Sequence, residues 1–266
     1  MQNKIWKEYV WGKQTFKQLS KKYSKSIPYI KKQIDSIVVE NDTDETQEIH
    51  IIADVVFFGK KYGIVVFHCP KLKRNIYWAE VETETPLVYS LGRKHLEQTG
   101  KLTSATLDGR RGVASVFKDI PVQMCQFHQI QIVTRYLTRK PKLEAGKKLR
   151  LIVLKLTISS EKEFTETLNA WYTKWQEFLK EKTTDSINGR WYFTHKKLRS
   201  AYRSLNTNLP RLFVYRKFTE LNISNTTNSL DGSFSYLKTL LRIHRGQSVK
   251  NRKKMIDEIL KNRPDS

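Results

Sequence analysis

The chain has 266 residues, enough for one well-buried core with one or two small appendages. Lysine and arginine total 49 against 26 acidic residues, a formal charge of +23, and such self-repulsion points to a polyanionic partner, nucleic acid ahead of an anionic membrane surface. No stretch approaches the roughly 18 apolar residues of a membrane span, the start of the chain around Glu8 is unlike a signal peptide, and Cys69 and Cys125 make no disulfide framework, so a cytoplasmic, nucleoid-associated protein is expected.

Three short helical patterns open the chain. Ile5, Trp6, Tyr9 and Val10 form one apolar face, Phe16, Leu19 and Tyr23 a second behind Thr15, and Ile27, Ile30 and Ile34 a third. Ser26 suits the N-cap of the third and Pro28 its first turn. A tight turn between the last two predicts a helix-turn-helix over residues 1–39, with Tyr29, Lys31, Lys32 and Gln33 facing base edges and phosphates. The alternative is a helical bundle that packs against the main domain. Residues 40–48 are acidic and polar without an apolar pattern, and form a linker.

From Ile49 the pattern turns to β. Residues 49–58 are almost wholly apolar apart from His50 and Asp54; strands over 63–68 and 75–81 follow behind short turns. A helix over 86–98, with Leu87, Leu91 and Leu96 among its apolar positions, ends at Gly100. A fourth strand, 102–107, runs into Asp108-Gly109, and a short helix around 113–117 leads to a fifth strand over 121–125. Asp54 on a buried strand is costly unless it is paired or holds a metal. Asp108 taken alone is ordinary turn chemistry. On the first and fourth strands of this order the two acids become a geometry, because those strands are neighbours in an RNase H-like sheet and both carboxylates then reach one pair of metal ions.

The segments Ile51-Ile-Ala-Asp54, Thr106-Leu-Asp108-Gly-Arg-Arg-Gly112 and Cys125-Gln-Phe-His128 resemble those of DDE transposases of the Mutator-like group and their bacterial insertion-sequence relatives. The resemblance covers about Ile49 to the C-terminus and implies an α/β fold. That fold is an RNase H-like mixed five-stranded sheet with a helical insertion, behind a small all-α helix-turn-helix domain. It also implies a third acid in a Thr-Asn-x-x-Glu setting; the matching segment Asn225-Thr-Thr-Asn228-Ser-Leu-Asp231 carries Asp231 where the family has Glu, and Glu220 is the competing choice. Asp231 is one methylene shorter, so its helix must approach the metal more closely. The gaps of 54 residues between the first two acids and 123 to the third suit an inserted domain. Cys125 and His128 have two readings, a satisfied core pair or an active-site supporting role. Half a zinc site is disfavoured without a second cysteine pair nearby.

The insertion, residues 129–224, is rich in helix formers. Phe164, Leu168, Trp171, Trp175 and Phe178 line one face of a helix over 161–180, more a core stripe than a stacking surface. Residues 186–189 make a turn before Trp191, Tyr192 and Phe193. His195, Lys196, Lys197, Arg199 and Arg203 suit a phosphate-contacting face or a solvated helix. Helices over 225–266 complete the catalytic core, whose first part is 49–128, and set Lys238, Arg242, His244 and Arg245 beside the cleft, with Arg110 and Arg111 next to the second acid. The function expected is DNA cleavage and strand transfer by two Mg²⁺ (or Mn²⁺) ions on Asp54, Asp108 and Asp231. The partners are double-stranded transposon-end and target DNA and further copies of the chain on that DNA. An RNase H-like nuclease or resolvase without joining, and a non-catalytic DNA-binding regulator, are the rival functions.

Overall fold

The computed structural model describes residues 1–39 and 48–262, so the linker expected over 40–48 lies outside the described residues except for Glu48, which opens the first strand. The fold is mixed α/β. Five strands, β1 (Glu48–Phe57), β2 (Gly63–Cys69), β3 (Arg74–Val81), β4 (Lys101–Leu107) and β5 (Val122–Met124), form one sheet in the order β3-β2-β1-β4-β5. β2 and β3 pair antiparallel and β4 and β5 parallel, which makes the sheet mixed. The adjacency of the first and fourth strands matches the sequence expectation. By internal contacts the chain divides into two compact units, one holding residues 1–48, 55–101 and 229–266 and the other residues 49–54 and 102–228.

The first unit contains the three N-terminal helices α1 (Gln2–Val10), α2 (Phe16–Tyr23) and α3 (Ile27–Asp35). Thr15 closes a capping box with Gln18, and Ser26 caps α3 with Pro28 behind it, so local chemistry fixes both starts. Ile5, Trp6, Tyr9, Val10, Leu19, Ile30 and Ile34 are buried between them. Further along, α4 (Pro86–Leu96) lies against the strands. Its buried residues are Tyr89, Gly92 and Leu96, whereas Leu87 and Leu91 are 66% and 56% exposed, which corrects the expected apolar face. The reason is Gly92: a Cβ there would run into the Phe67 ring, so this bare turn is the one that approaches β2 closely. The closing helices of the unit are α11 (Asn228–Ile243) and α12 (Val249–Lys261). α12 grips the N-terminal helices through Asn251 Nδ2 to Asp35 Oδ1 at 2.7 Å and Lys254 Nζ to the Ile34 carbonyl at 2.6 Å. Glu258 accepts from the indoles of Trp6 and Trp11 at 3.0 and 3.2 Å.

The second unit places α5 (Val113–Val116) between β4 and β5 and then runs helically through α6 (Gln126–Leu137), α7 (Glu144–Leu154) and α8 (Glu161–Lys180). A hairpin, β6 (Lys182–Thr184) and β7 (Trp191–Phe193), precedes α9 (Lys196–Leu212), α10 (Val214–Lys217) and a 3₁₀ turn over Thr219–Leu221. The sequence showed the hairpin only as a turn. Val133, Leu149, Val153, Phe164, Leu168 and Trp171 belong to one apolar cluster joining α6 to α9, with Trp175 and Phe178 packed on its edge, so the aromatic stripe is core. Ser160 accepts from the Glu163 N–H at 3.1 Å and starts α8 where the stripe begins. No described helix is long and apolar enough to cross a membrane.

Candidate active site

β1 is buried along most of its length, and Asp54 sits within it at 9% exposure. Desolvating a carboxylate in an apolar strand is strongly unfavourable without compensating charge or hydrogen bonds. Asp108 follows the last residue of β4, the neighbour of β1. Its Oδ1 accepts from the Arg110 N–H at 2.7 Å, an Asx turn that fixes the carboxylate where the strand ends. Gly109 must be glycine twice over: its φ of +90° is left-handed, and a Cβ would strike the Met124 methyl.

β5 ends beside this turn, and the Cys125 N–H donates to the Leu107 carbonyl at 2.7 Å. Cys125 occupies the N-cap position of α6, and His128 follows in the first helical turn. The Thr227 N–H and hydroxyl donate to Cys125 Sγ at 3.3 and 3.4 Å, and the same hydroxyl lies 3.3 Å from His128 Nδ1. Burial pushes the Cys125 thiol up, but hydrogen bonds from His128 and Thr227 outweigh it and hold the thiol below its ordinary range. The N-terminus of α6 favours the same charge. Burial likewise depresses His128. The hydrogen bond and negative charge of Cys125, with the carboxylates of Asp54 and Asp108, overcome that and raise it to about 9. The two carboxylates and the cysteine thus favour the charged form of the His128 ring.

A second layer holds this corner still. Gln123 donates to the Leu212 carbonyl at 3.0 Å and accepts from the Tyr215 N–H at 3.0 Å; Gln126 donates to the same carbonyl at 2.9 Å. These amides satisfy the carbonyl left open where α9 ends. The segment before α11 is fastened from several sides. Ser224 accepts from Thr106 Oγ1 at 2.6 Å and donates to His50 Nε2 at 3.2 Å, while the Asn225 carbonyl accepts from the Gln126 N–H at 3.0 Å. Since His50 Nε2 accepts, its Nδ1 carries the proton and donates to Ser104 Oγ at 2.8 Å. The sequence assigned no role to Thr227, His50, Gln123 or Gln126, although Thr227 and Gln126 fall inside the motif segments. The signal was there in Gln123, Gln126 and Gln129, spaced by three within an apolar stretch.

Asp231 lies in the first turn of α11, and its Oδ2 is buried without a hydrogen-bond partner among the described residues. Glu220, the competing third acid, is exposed on the 3₁₀ turn.

The residues expected to touch DNA divide into two groups. On α3, Lys31 and Lys32 are exposed and Tyr29 and Gln33 half-buried; Arg110, Arg111, Lys238, Arg242 and Arg245 are exposed as well. His244 is a correction. It is 5% exposed, its ring 4.1 Å from that of Tyr9, and burial lowers its pKa, so it packs α11 on α1 as a neutral ring instead of offering a charge to phosphate. In the insertion Lys196, Lys197 and Arg203 are exposed. His195 stacks on Phe178 at 3.7 Å and meets Glu181 at 2.8 Å, while Arg199 donates to the Leu179 carbonyl.

No protein-family model and no curated protein matches the chain. Among solved structures it is similar to a chain of the simian T-cell lymphotropic virus intasome in complex with the PP2A regulatory subunit B56 gamma. That match has 9% sequence identity and a TM-score of 0.24, over 76% of this chain and 68% of that one.

Proposed function

We propose that this protein is a DNA transposase of the DDE type, cleaving and joining DNA by metal-dependent phosphoryl transfer on an RNase H-like sheet. The observation that carries the reading is the placement of Asp54 within β1 and of Asp108 just past the end of β4, the neighbouring strand of the sheet. The strand order β3-β2-β1-β4-β5, the formal charge of +23 and the resemblance of the Asp54, Asp108 and Cys125–His128 segments to Mutator-like transposases support it.

The donor set fits a hard divalent cation: Asp54, Asp108 and Asp231 offer carboxylate oxygens, and one of them, Asp231 Oδ2, is a buried acceptor with no hydrogen-bond partner among the described residues. Those three residues would hold Mg²⁺ or Mn²⁺, two ions for the full reaction. When bound, such ions supply the acidity that makes water or a DNA 3′-hydroxyl nucleophilic and the charge that stabilises the leaving oxygen. The chain's own part is positioning. β1 and the Asx turn of Asp108 hold two carboxylates rigidly, and His128, charged and propped by Thr227, offers an N–H to a non-bridging phosphate oxygen. Arg110, Arg111, Lys238, Arg242 and Arg245 neutralise flanking phosphates. The three N-terminal helices act as a helix-turn-helix, with Tyr29, Lys31, Lys32 and Gln33 toward the groove and homo-oligomers assembling on the DNA.

The test is a Mg²⁺- or Mn²⁺-dependent cleavage assay on DNA flanking the gene, repeated with Asp54→Asn and Asp108→Asn. Both substitutions should abolish cleavage and leave DNA binding intact; mutants that cleave like the parent overturn the reading. A strand-transfer assay with pre-cut ends then separates a transposase from a nuclease that cuts without joining.

A further inference from the structure

The β6–β7 hairpin keeps its aromatic side chains outside. Trp191 is 57% exposed and Tyr192 38%, although each would gain by burial. Each ring already carries a cation: Lys182 Nζ lies 3.9 Å from the Trp191 centroid, Lys196 Nζ 3.9 Å from Tyr192, and the Arg199 guanidinium 3.5 Å from Phe193. Trp191 and Phe193 meet edge to face at 5.5 Å. Pairing of Thr184 with Trp191 and Lys182 with Phe193 sets these rings on one face of the hairpin and Tyr192 on the other.

The hairpin is built to stand rigidly. Asp185 caps its tip by accepting from the Ile187 N–H at 2.8 Å and the Asn188 side chain at 3.1 Å, and Asn188 in turn accepts from the Arg190 N–H at 2.9 Å. At the base, Thr194 N–H donates to the Glu181 carbonyl at 3.0 Å and Thr183 and Thr194 join hydroxyls at 2.8 Å. A two-stranded hairpin is marginal by itself, and these ties offset that weakness without covering the rings. Arg199 also lines a cavity of about 220 Å³ with Tyr172, Tyr202, Arg203 and Asn206, where the two tyrosine rings stack at 4.5 Å. Rings, guanidinium groups and amides thus continue from the hairpin into the helices beneath it.

We propose that the β6–β7 hairpin is a stacking platform for unpaired bases, so that the DNA held by the insertion is single-stranded or locally opened there. Aromatic faces interleaved with cations bind single strands because each base offers a π-face and each phosphate a charge. A paired, stacked duplex hides those faces, whereas its phosphates would be served by lysines alone. A protein partner fits less well, since lysines are depleted from the cores of protein interfaces and here sit on the rings. The proposal rests on nucleic acid as the partner but not on cleavage.

The experiment uses the full chain without divalent ions and compares a fluorescent oligothymidylate, a blunt duplex, and the same duplex bearing an unpaired extension. The parent should favour the two unpaired probes. Trp191→Ala and Tyr192→Ala should each weaken binding to those probes about tenfold, leave the blunt duplex unchanged, and quench less tryptophan emission on binding. Trp191→Phe, which keeps a π-face, should retain most of the affinity and guards against misfolding. Parental affinity of Trp191→Ala for every probe overturns the proposal, as does an equal loss on blunt and unpaired probes. So does a changed oligomeric state with unchanged DNA binding, which would make the patch a protein contact. Because this assay contains no divalent ion it reads binding alone, and a failure of the nuclease reading is seen separately in the Mg²⁺-dependent cleavage assay.

Discussion

Two regions of the second unit treat their side chains in opposite ways. At the ends of β4 and β5 polar groups are buried and saturated: Gln123, Gln126, Thr106 and Thr227 are nearly inaccessible and each has named partners. In the β6–β7 hairpin apolar rings are exposed and their partners are lysine ammonium groups. Buried polar networks fix a geometry because every alternative leaves a donor or acceptor unpaired. Exposed rings fix no geometry of their own but remain available to a partner. The first arrangement suits chemistry at defined distances, the second suits binding that tolerates sequence.

The largest expected separation is in turnover. Asp54→Asn should lower cleavage by about 10³-fold or more, since several kcal/mol of transition-state stabilisation depend on the carboxylate. Trp191→Ala should lower it only as far as binding weakens, which saturating DNA reverses. Equal kcat losses in the two variants would dissolve the contrast. Stability gives a smaller separation. Gln123→Leu leaves the Tyr215 N–H without its acceptor and weakens the satisfaction of the Leu212 carbonyl, and should cost about 1–3 kcal/mol in urea unfolding. Trp191→Ala, at an exposed site, should stay within about 0.5 kcal/mol.

The smallest effect sharpens the comparison from outside both regions. His244 is buried with a pKa held below the ordinary 6.5 by desolvation. A histidine depressed in the folded state stabilises fully above its unfolded pKa, and that contribution is lost as pH falls through the folded value. Thermal stability should therefore drop as pH falls below about 6.5, and His244→Phe should flatten that part of the profile. An unchanged profile would mean that other groups set it.

How much of this was legible in the sequence depended on which physical signal each feature leaves. Asp54 stood out because an acid inside an apolar strand is rare, and Asp108 because its strand order gave it a neighbour. α8 was readable to the residue from the stripe of Phe164, Leu168, Trp171, Trp175 and Phe178 along it. The α4 face was misjudged because Gly92 is its contact point, and a glycine adds nothing to an apolar pattern. The hairpin strands escaped because three residues are too few to display a period of two. His244 was counted as a charge, although its surroundings keep it neutral. Thr227 showed only as the threonine of the Thr-Asn motif, and its tie to a cysteine about a hundred residues away left no local signature.

That long separation has a consequence for synthesis. Ser224, Asn225 and Thr227 close the corner against residues laid down far earlier, among them His50, Thr106 and Cys125. A nascent chain on the ribosome can form the strands and the helical insertion well before that closing segment emerges from the exit tunnel. Until then His128 lacks its prop and the corner stays unfinished. Under the proposed function, cleavage would be withheld while the chain is being made and would begin only when translation has passed the insertion.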